Sequence, residues 1–313
     1  MLRHRLIFGT LIAASVIGLA LLDGWLSTRP VPQWRVLGAD LGPWLFNGAL
    51  LTGLFLAFTL LATRELTGFA AAQGHRPLRF ESYLFGAGLV IGPFVSFNLK
   101  QTAAWHDESW GMLWLAIALG YTFCAQAVRR GVKGVFVNLA MTLFIIFYAG
   151  GMAGYYTKLR MEVGGFAGPL LVLFSIFVVK ITDTGAFFIG SLVGRTKLIP
   201  WISPKKTWEG LLGGIAVAVL GSVLVGRLLS GLEIEPLRSG PLSGWLGLAV
   251  FGLVMAVFSV AGDLCASLLK RDAAIKDSGN VIPGMGGMLD VIDSPLLAAP
   301  AAWFCWTRIA TLN

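Results

Sequence analysis

Residues 243–266 read SGWLGLAVFGLVMAVFSVAGDLCA. A helix needs about 20 consecutive apolar residues to cross a hydrocarbon core of roughly 30 Å. This stretch is long enough, and its apolar residues run on without alternating with polar ones. Lipid offers backbone N–H and C=O groups no partner, so only helices and closed barrels span it. A barrel strand would alternate, so the stretch selects a helix. Its only charged side chain, Asp263, lies near its end. Eight further runs have the same character, at 6–22, 42–62, 83–99, 109–128, 134–154, 164–181, 210–230 and 291–308. The predicted fold is therefore all-α, a polytopic membrane bundle of about nine transmembrane helices. Composition agrees. The 313 residues are 56% hydrophobic and 13% charged, against about 25% charged in soluble domains. The run at 6–22 follows Met1-Leu2-Arg3-His4-Arg5, as a signal peptide would, but no small-x-small cleavage site follows it. It is predicted to be an uncleaved first helix.

Lysine and arginine set the orientation. With the N-terminus in the cytoplasm and the spans alternating, sixteen of the 24 basic residues fall on the cytoplasmic side and eight outside. The formal charge of +8 is then mostly a cytoplasmic feature. It suits topology and contact with anionic lipid. It does not suggest nucleic acid, because no basic stripe carries interleaved aromatics.

Other chemistries are poorly served. Cys124, Cys265 and Cys305 lie inside apolar runs with no CxxC pair, so no disulfide framework or zinc site is predicted. His4, His75 and His106 are scattered. No GxxxxGK[ST] sequence occurs, which excludes a P-loop.

The chain divides unevenly. Residues 1–160 hold five spans and short loops; residues 161–313 carry the chemistry. Arg64 and Glu65 read as a helix-end ion pair. Asn47, Asn98 and Asn138 read as groups that satisfy one another or the backbone inside the bundle. Segments 180–210 and 262–294 hold seven of the 16 acids, with interleaved lysines and dense glycine, on one predicted side. Carboxylates are hard ligands suited to Mg²⁺, which binds through few protein groups plus substrate phosphates. Lysines serve phosphate as point charges. Glycines let backbone N–H groups come close to phosphate. The set points to phosphate handling. Asp263 is costly so near the membrane. On a helix it shares a face with Ser267 and Lys270. Read alone, Asp263 is equally a functional group and an ion-pair partner of Lys270 or Arg271.

At these two segments the chain resembles the phosphatidate cytidylyltransferases, or CDP-diacylglycerol synthases. One family signature runs S-x-x-K-R, four residues, K-D, a turn P-x-H-G-G, then D-R-x-D. Here it reads Ser267-Leu268-Leu269-Lys270-Arg271, then Lys276-Asp277, Pro283-Gly284-Met285-Gly286-Gly287 and Asp290-Val291-Ile292-Asp293. Gly262-Asp263-Leu264 is similar to the family's opening of this helix. Upstream, Asp183-Thr184-Gly185 precedes Ser203-Pro204-Lys205-Lys206-Thr207-Trp208-Glu209-Gly210, a full S-P-x-K-T-x-E-G. The likeness covers roughly the last 130 residues. Two positions depart from it: Met285 replaces the usual histidine and Val291 the usual arginine.

The resemblance implies a nucleotidyltransferase of phospholipid biosynthesis that makes CDP-diacylglycerol and pyrophosphate from CTP and phosphatidate. It implies Mg²⁺ on Asp263, Asp290 and Asp293, with a second, monovalent cation nearby. Lys205, Lys206, Lys270, Arg271, Lys276 and Asp277 are the expected catalytic groups. Asp183, Ser203, Thr207, Ser267, Gly286 and Gly287 are the expected substrate contacts. A multi-pass protein of the bacterial inner membrane is expected, with its site facing the cytoplasm and a homodimer as its assembly. Three other readings compete. A CTP-dependent lipid kinase would need a base for its acceptor hydroxyl. A transporter should repeat its polar residues in both halves. An inactive homologue would explain Met285 and Val291.

Overall fold

The computed structural model describes residues 2–31, 35–36, 39–40, 42–100, 110–232, 234–279 and 281–310. Its helices are α1 (Leu2–Ser27), α2 (Gly42–Phe46), α3 (Ala49–Ala72), α4 (Arg79–Lys100), α5 (Trp110–Arg130), α6 (Val135–Ile145), α7 (Met152–Val163), α8 (Ala167–Val193), α9 (Trp208–Ser230), α10 (Glu235–Arg238), α11 (Trp245–Asp272) and α12 (Leu289–Phe304). A π-turn, Ile146–Gly151, joins α6 to α7, and another, Cys305–Ile309, extends α12. Two small antiparallel hairpins pair β1 (Arg35–Val36) with β2 (Ala39–Asp40) and β3 (Lys197–Ile199) with β4 (Ser203–Thr207).

Among the described residues eight helical stretches are long and apolar enough to cross a membrane. They fall on the first eight predicted runs. The chain is an integral membrane protein. The ninth run is α12, whose 16 residues are shorter than a full span. It lies inside the bundle, packed against α7, α8 and α11. One buried core joins residues from Ala20 to Ala310 and so passes through both predicted parts of the chain.

Side chains tie the helix ends together in the order that alternation requires. At one end Met285 stands beside Gly9 of α1. Gln73 at the end of α3 bonds Asp272 at the end of α11. Arg129 of α5 pairs with Glu81 of α4 at 2.7 Å. At the other end Asp23 of α1 pairs with Arg160 of α7. Spans at 134–154 and 164–181 leave Arg160 in the loop between them on the predicted outer side, yet its side chain and that of Asp23 are 0% and 2% exposed. The helix of 134–154 continues as α7 to Val163, and this draws Arg160 inside.

Small residues let the motif-bearing helices approach closely, as bundles in lipid favour. A Cβ on Gly210 of α9 would lie 3.0 Å from the Gly190 Cα of α8. A Cβ on Gly262 of α11 would lie 2.6 Å from the Asp293 backbone oxygen of α12. The glycine before Asp263 is thus a steric requirement of the α11–α12 crossing.

Candidate active site

The upstream block builds a hairpin and starts a helix. β4 carries Ser203, Lys205 and Lys206, and Thr207 follows as the N-cap of α9. The Thr207 hydroxyl accepts the Gly210 N–H at 3.1 Å, which satisfies one of the donors a helix start leaves free. Glu209 reaches back to accept the N–H groups of Arg195 and Thr196 at 3.1–3.2 Å. The S-P-x-K-T-x-E-G segment is therefore a rigid mount for its lysines. Thr207, expected to touch substrate, uses its side-chain oxygen as a cap.

The mount faces the second block. Lys206 Nζ lies 2.8 Å from Asp263 Oδ2. Arg271 Nε donates to the Ile202 carbonyl of the hairpin at 3.2 Å. Between them opens a cavity of about 380 Å³, lined by Asp183, Ser203, Lys205, Lys206 and Asp263 among others. Asp263 thus takes a lysine from the other motif, where the sequence offered Lys270 or Arg271. Ser267 donates to Asp263 Oδ1 at 3.3 Å, as helical spacing predicted.

Three carboxylates converge where α8, α11 and α12 pack together: Asp183, Asp263 and Asp293. Asp183 Oδ1 accepts from Ser259 at 2.8 Å and from Ser294 at 3.4 Å. Asp293 Oδ1 accepts the Ser294 N–H at 2.7 Å. Asp183, Asp263 and Asp293 interact with one another as like charges. Lys180 sits beside them, with Nζ 3.8 Å from Asp183 Oδ2 and 2.8 Å from the Val291 carbonyl. Among the described residues no three His, Cys, Asp or Glu groups are drawn together tightly enough to hold a metal ion by themselves. The donor set nevertheless fits Mg²⁺, which needs only one or two carboxylates when phosphate oxygens complete its shell.

Asp290 stands apart from this group. Its Oδ1 is 2.7 Å from Lys270 Nζ. Its Oδ2 accepts the Ser278 N–H at 2.8 Å and the Gly287 N–H at 3.0 Å, and the Ser278 hydroxyl, whose one proton it shares with Glu65, lies 2.8 Å away. With both oxygens so occupied it braces the loop before α12, and Lys270 is neutralised with it. Gly286 and Gly287 pack on carboxylates too. A Cβ on Gly286, whose φ is +101°, would meet Asp290 Oδ2 at 2.5 Å. These glycines admit the side chains of acids, where close approach to phosphate was expected. Lys276 and Asp277 are exposed on the same loop.

Sequence reasoning missed Glu65. It is buried in α3 and touches the loop before α12, so the expected helix-end pair with Arg64 is not its role. Lys180, at the head of the 180–210 segment, also joins the site. Its signal was present, a lysine three residues before Asp183 on one helix.

The sequence profile of the cytidylyltransferase family matches residues 31–308. This chain belongs to the cytidylyltransferase family. It is similar to a phosphatidate cytidylyltransferase of Synechocystis, with 29% identity over 84% of this chain and 89% of that protein. It is 36% identical to phosphatidate cytidylyltransferase 4, chloroplastic, of Arabidopsis thaliana, over 84% of this chain and 67% of that protein. It is also 34% identical to the uncharacterized protein YnbB of Escherichia coli, over 55% of this chain and 53% of that protein. The chain thus spans about half of YnbB and most of the other two.

The two departures from the family pattern share one place. Met285 and Val291 both line a largely apolar cavity of about 700 Å³ between α1, α3, α7, α8, α9 and α12. Lys180 and Asp290 border it at the same end. Met285 packs against α1 at Gly9, and Val291 offers its carbonyl to Lys180.

Proposed function

We propose that this chain transfers the cytidylyl group of CTP to phosphatidate, releasing pyrophosphate and leaving CDP-diacylglycerol in the membrane. The carrying observation is the Lys206–Asp263 contact, which joins the two motif blocks at one cavity bordered by Asp183, Lys205, Lys206 and Asp263 in a membrane bundle. A phosphate oxygen of the lipid attacks the α-phosphorus of CTP, and the bond to the pyrophosphate oxygen breaks. The attacking phosphate is already anionic, so no strong base is required. The protein's task is positioning and charge neutralisation. Lys205 and Lys206 hold the triphosphate from the hairpin side. Asp263 and Asp293, with Asp183 beside them, would hold Mg²⁺. When bound, the ion neutralises phosphate charge and polarises the reacting centre. The adjoining 700 Å³ cavity takes lipid acyl chain. The lysine and arginine distribution supports a site facing the cytoplasm.

The test uses purified full-length protein with CTP labelled at the α- or γ-phosphate, and with phosphatidate, diacylglycerol or polyprenol as acceptor. The expected result is α-label in lipid with phosphatidate alone, and γ-label in pyrophosphate. Transfer of γ-label to a lipid alcohol would instead identify a kinase. No covalent transfer under any Mg²⁺ condition would overturn the reading.

Met285 and Val291 tune this reaction without abolishing it. Met285→His and Val291→Arg are each expected to change the rate by less than about tenfold, or ~1.4 kcal/mol. Both sit where the apolar cavity meets Lys180, and the carboxylates that gather nearby are unchanged. Steady-state rates of both variants check this. A silent natural protein that the double substitution switches on would show that the carboxylates and lysines are not sufficient.

A further inference from the structure

Glu65 is a buried carboxylate that the reaction does not use. It lies on α3, 213 residues before Ser278 and 224 before Leu289. Its Oε1 accepts the Met288 N–H at 2.7 Å. Its Oε2 accepts the Leu289 N–H and the Ser278 hydroxyl, each at 2.8 Å. The first N–H groups of a helix have no partner within it. At the N-cap of α12 stands Met288, which makes no side-chain cap. Glu65 supplies the missing acceptor from another helix, and its charge suits a helix N-terminus. The loop closes on it because Gly287 has no side chain: a Cβ there would lie 2.5 Å from both Glu65 oxygens. The Ser278 hydroxyl also lies 2.8 Å from Asp290 Oδ2, so Glu65 and Asp290 anchor one loop from two sides.

We propose that Glu65 is a positioning residue that fixes the first turn of α12 and thereby the place of Asp293 beside Asp183 and Asp263. The proposal rests on the cytidylyltransfer reaction described above. Asp293 lies one turn along the helix from Leu289. Any slip or fraying of that turn moves its carboxylate. Glu65 does not line the cavity beside Lys206 and Asp263, and acts through the first turn of α12 and the loop before it. A glutamine cannot replace it, since both carboxylate oxygens accept and an amide nitrogen would face an N–H.

The experiment compares the wild-type full-length protein with Glu65→Gln, and with Glu81→Gln as a control. Glu81 is also a buried carboxylate, but it pairs with Arg129 away from the site. Three quantities are read: amide exchange over 287–293 without nucleotide or metal, thermal stability, and the Mg²⁺ and CTP dependence of the rate. Losing these hydrogen bonds is expected to speed exchange and raise half-activating Mg²⁺, each by at least about tenfold. The KM for phosphatidate should move far less, and Glu81→Gln should leave exchange over 287–293 and the Mg²⁺ dependence alone. Lower stability with wild-type exchange and Mg²⁺ dependence would reduce Glu65 to a structural cap and overturn the proposal. If Glu65→Gln does not fold, Glu65→Asp decides. It keeps the charge but draws the carboxylate back from the Met288 and Leu289 N–H groups, and unchanged exchange and Mg²⁺ dependence would likewise overturn the proposal. Wild-type protein that makes no CDP-diacylglycerol would overturn the reaction, while the exchange result would still decide whether Glu65 anchors the turn.

Discussion

Asp263→Asn is expected to lower turnover by about 10²–10³, the usual cost of losing one charge-stabilising group at a reacting centre. The substitution keeps the side chain's size and removes its charge. Asp263 lies opposite Lys206 and on the wall of the cavity that Lys205 and Asp183 also border, where the triphosphate would sit. Two effects then add. The carboxylate set loses a negative charge and one of the two Asp263 oxygens for Mg²⁺, and Lys206 loses its ion-pair partner. The Asp263 side chain is 38% exposed, so the fold should tolerate the change and thermal stability should stay close to wild type. The measurement is the initial rate against Mg²⁺ concentration, with CTP and phosphatidate saturating. Wild-type activity of Asp263→Asn at low Mg²⁺ would end the metal assignment. A lost rate accompanied by a large loss of stability would assign Asp263 to the fold rather than to the chemistry.

Asp23→Ala is expected to destabilise the protein by about 3–5 kcal/mol, because it strands a buried charge. Arg160 is fully buried and its Nε has Asp23 as its ion-pair partner. Its two terminal nitrogens find no hydrogen-bond partner among the described residues. Among the described residues, removing Asp23 leaves the whole buried guanidinium without an ion-pair partner. Asp23 Oδ1 also accepts the Leu51 N–H at 3.4 Å, so α1 loosens from α3 as well as from α7. The converse holds for the pair together. Replacing both by apolar residues, Asp23→Leu with Arg160→Met, should recover most of the loss, since a buried ion pair is often no more stable than good apolar packing. Unfolding titrations of the purified protein in detergent measure both. A single substitution costing under about 1 kcal/mol would put the pair in the class of solvent-screened bridges, against its burial.

The spans were legible because their cause is local. A run of apolar residues in lipid must close its own hydrogen bonds, and a helix does so whatever its neighbours are. All nine predicted runs became helices, although the ninth is an inner helix of 16 residues. The alternation of sides was legible for the same reason. It also placed Asp183, Lys205, Asp263 and Asp293 at one end before any contact was known. The division of labour among the acids was less accessible. Asp290 and Asp293 are three residues apart and read as a pair. In the structure one braces a loop against Lys270 and Ser278, and the other joins Asp183 and Asp263. Two residues on neighbouring faces of one helix turn can meet different helices, and nothing in their spacing says which.

What the sequence determined by itself was the membrane bundle, the common side of the two motif blocks and the kind of chemistry they carry. Each follows from residue type and local period. Only the tertiary structure decided the partners: Lys206 for Asp263, Glu65 for the start of α12, and Arg160 for Asp23. Those pairings join residues tens to hundreds of positions apart. Their energy comes from the desolvation of groups that packing brings together, and packing of distant helices leaves no local trace in the sequence.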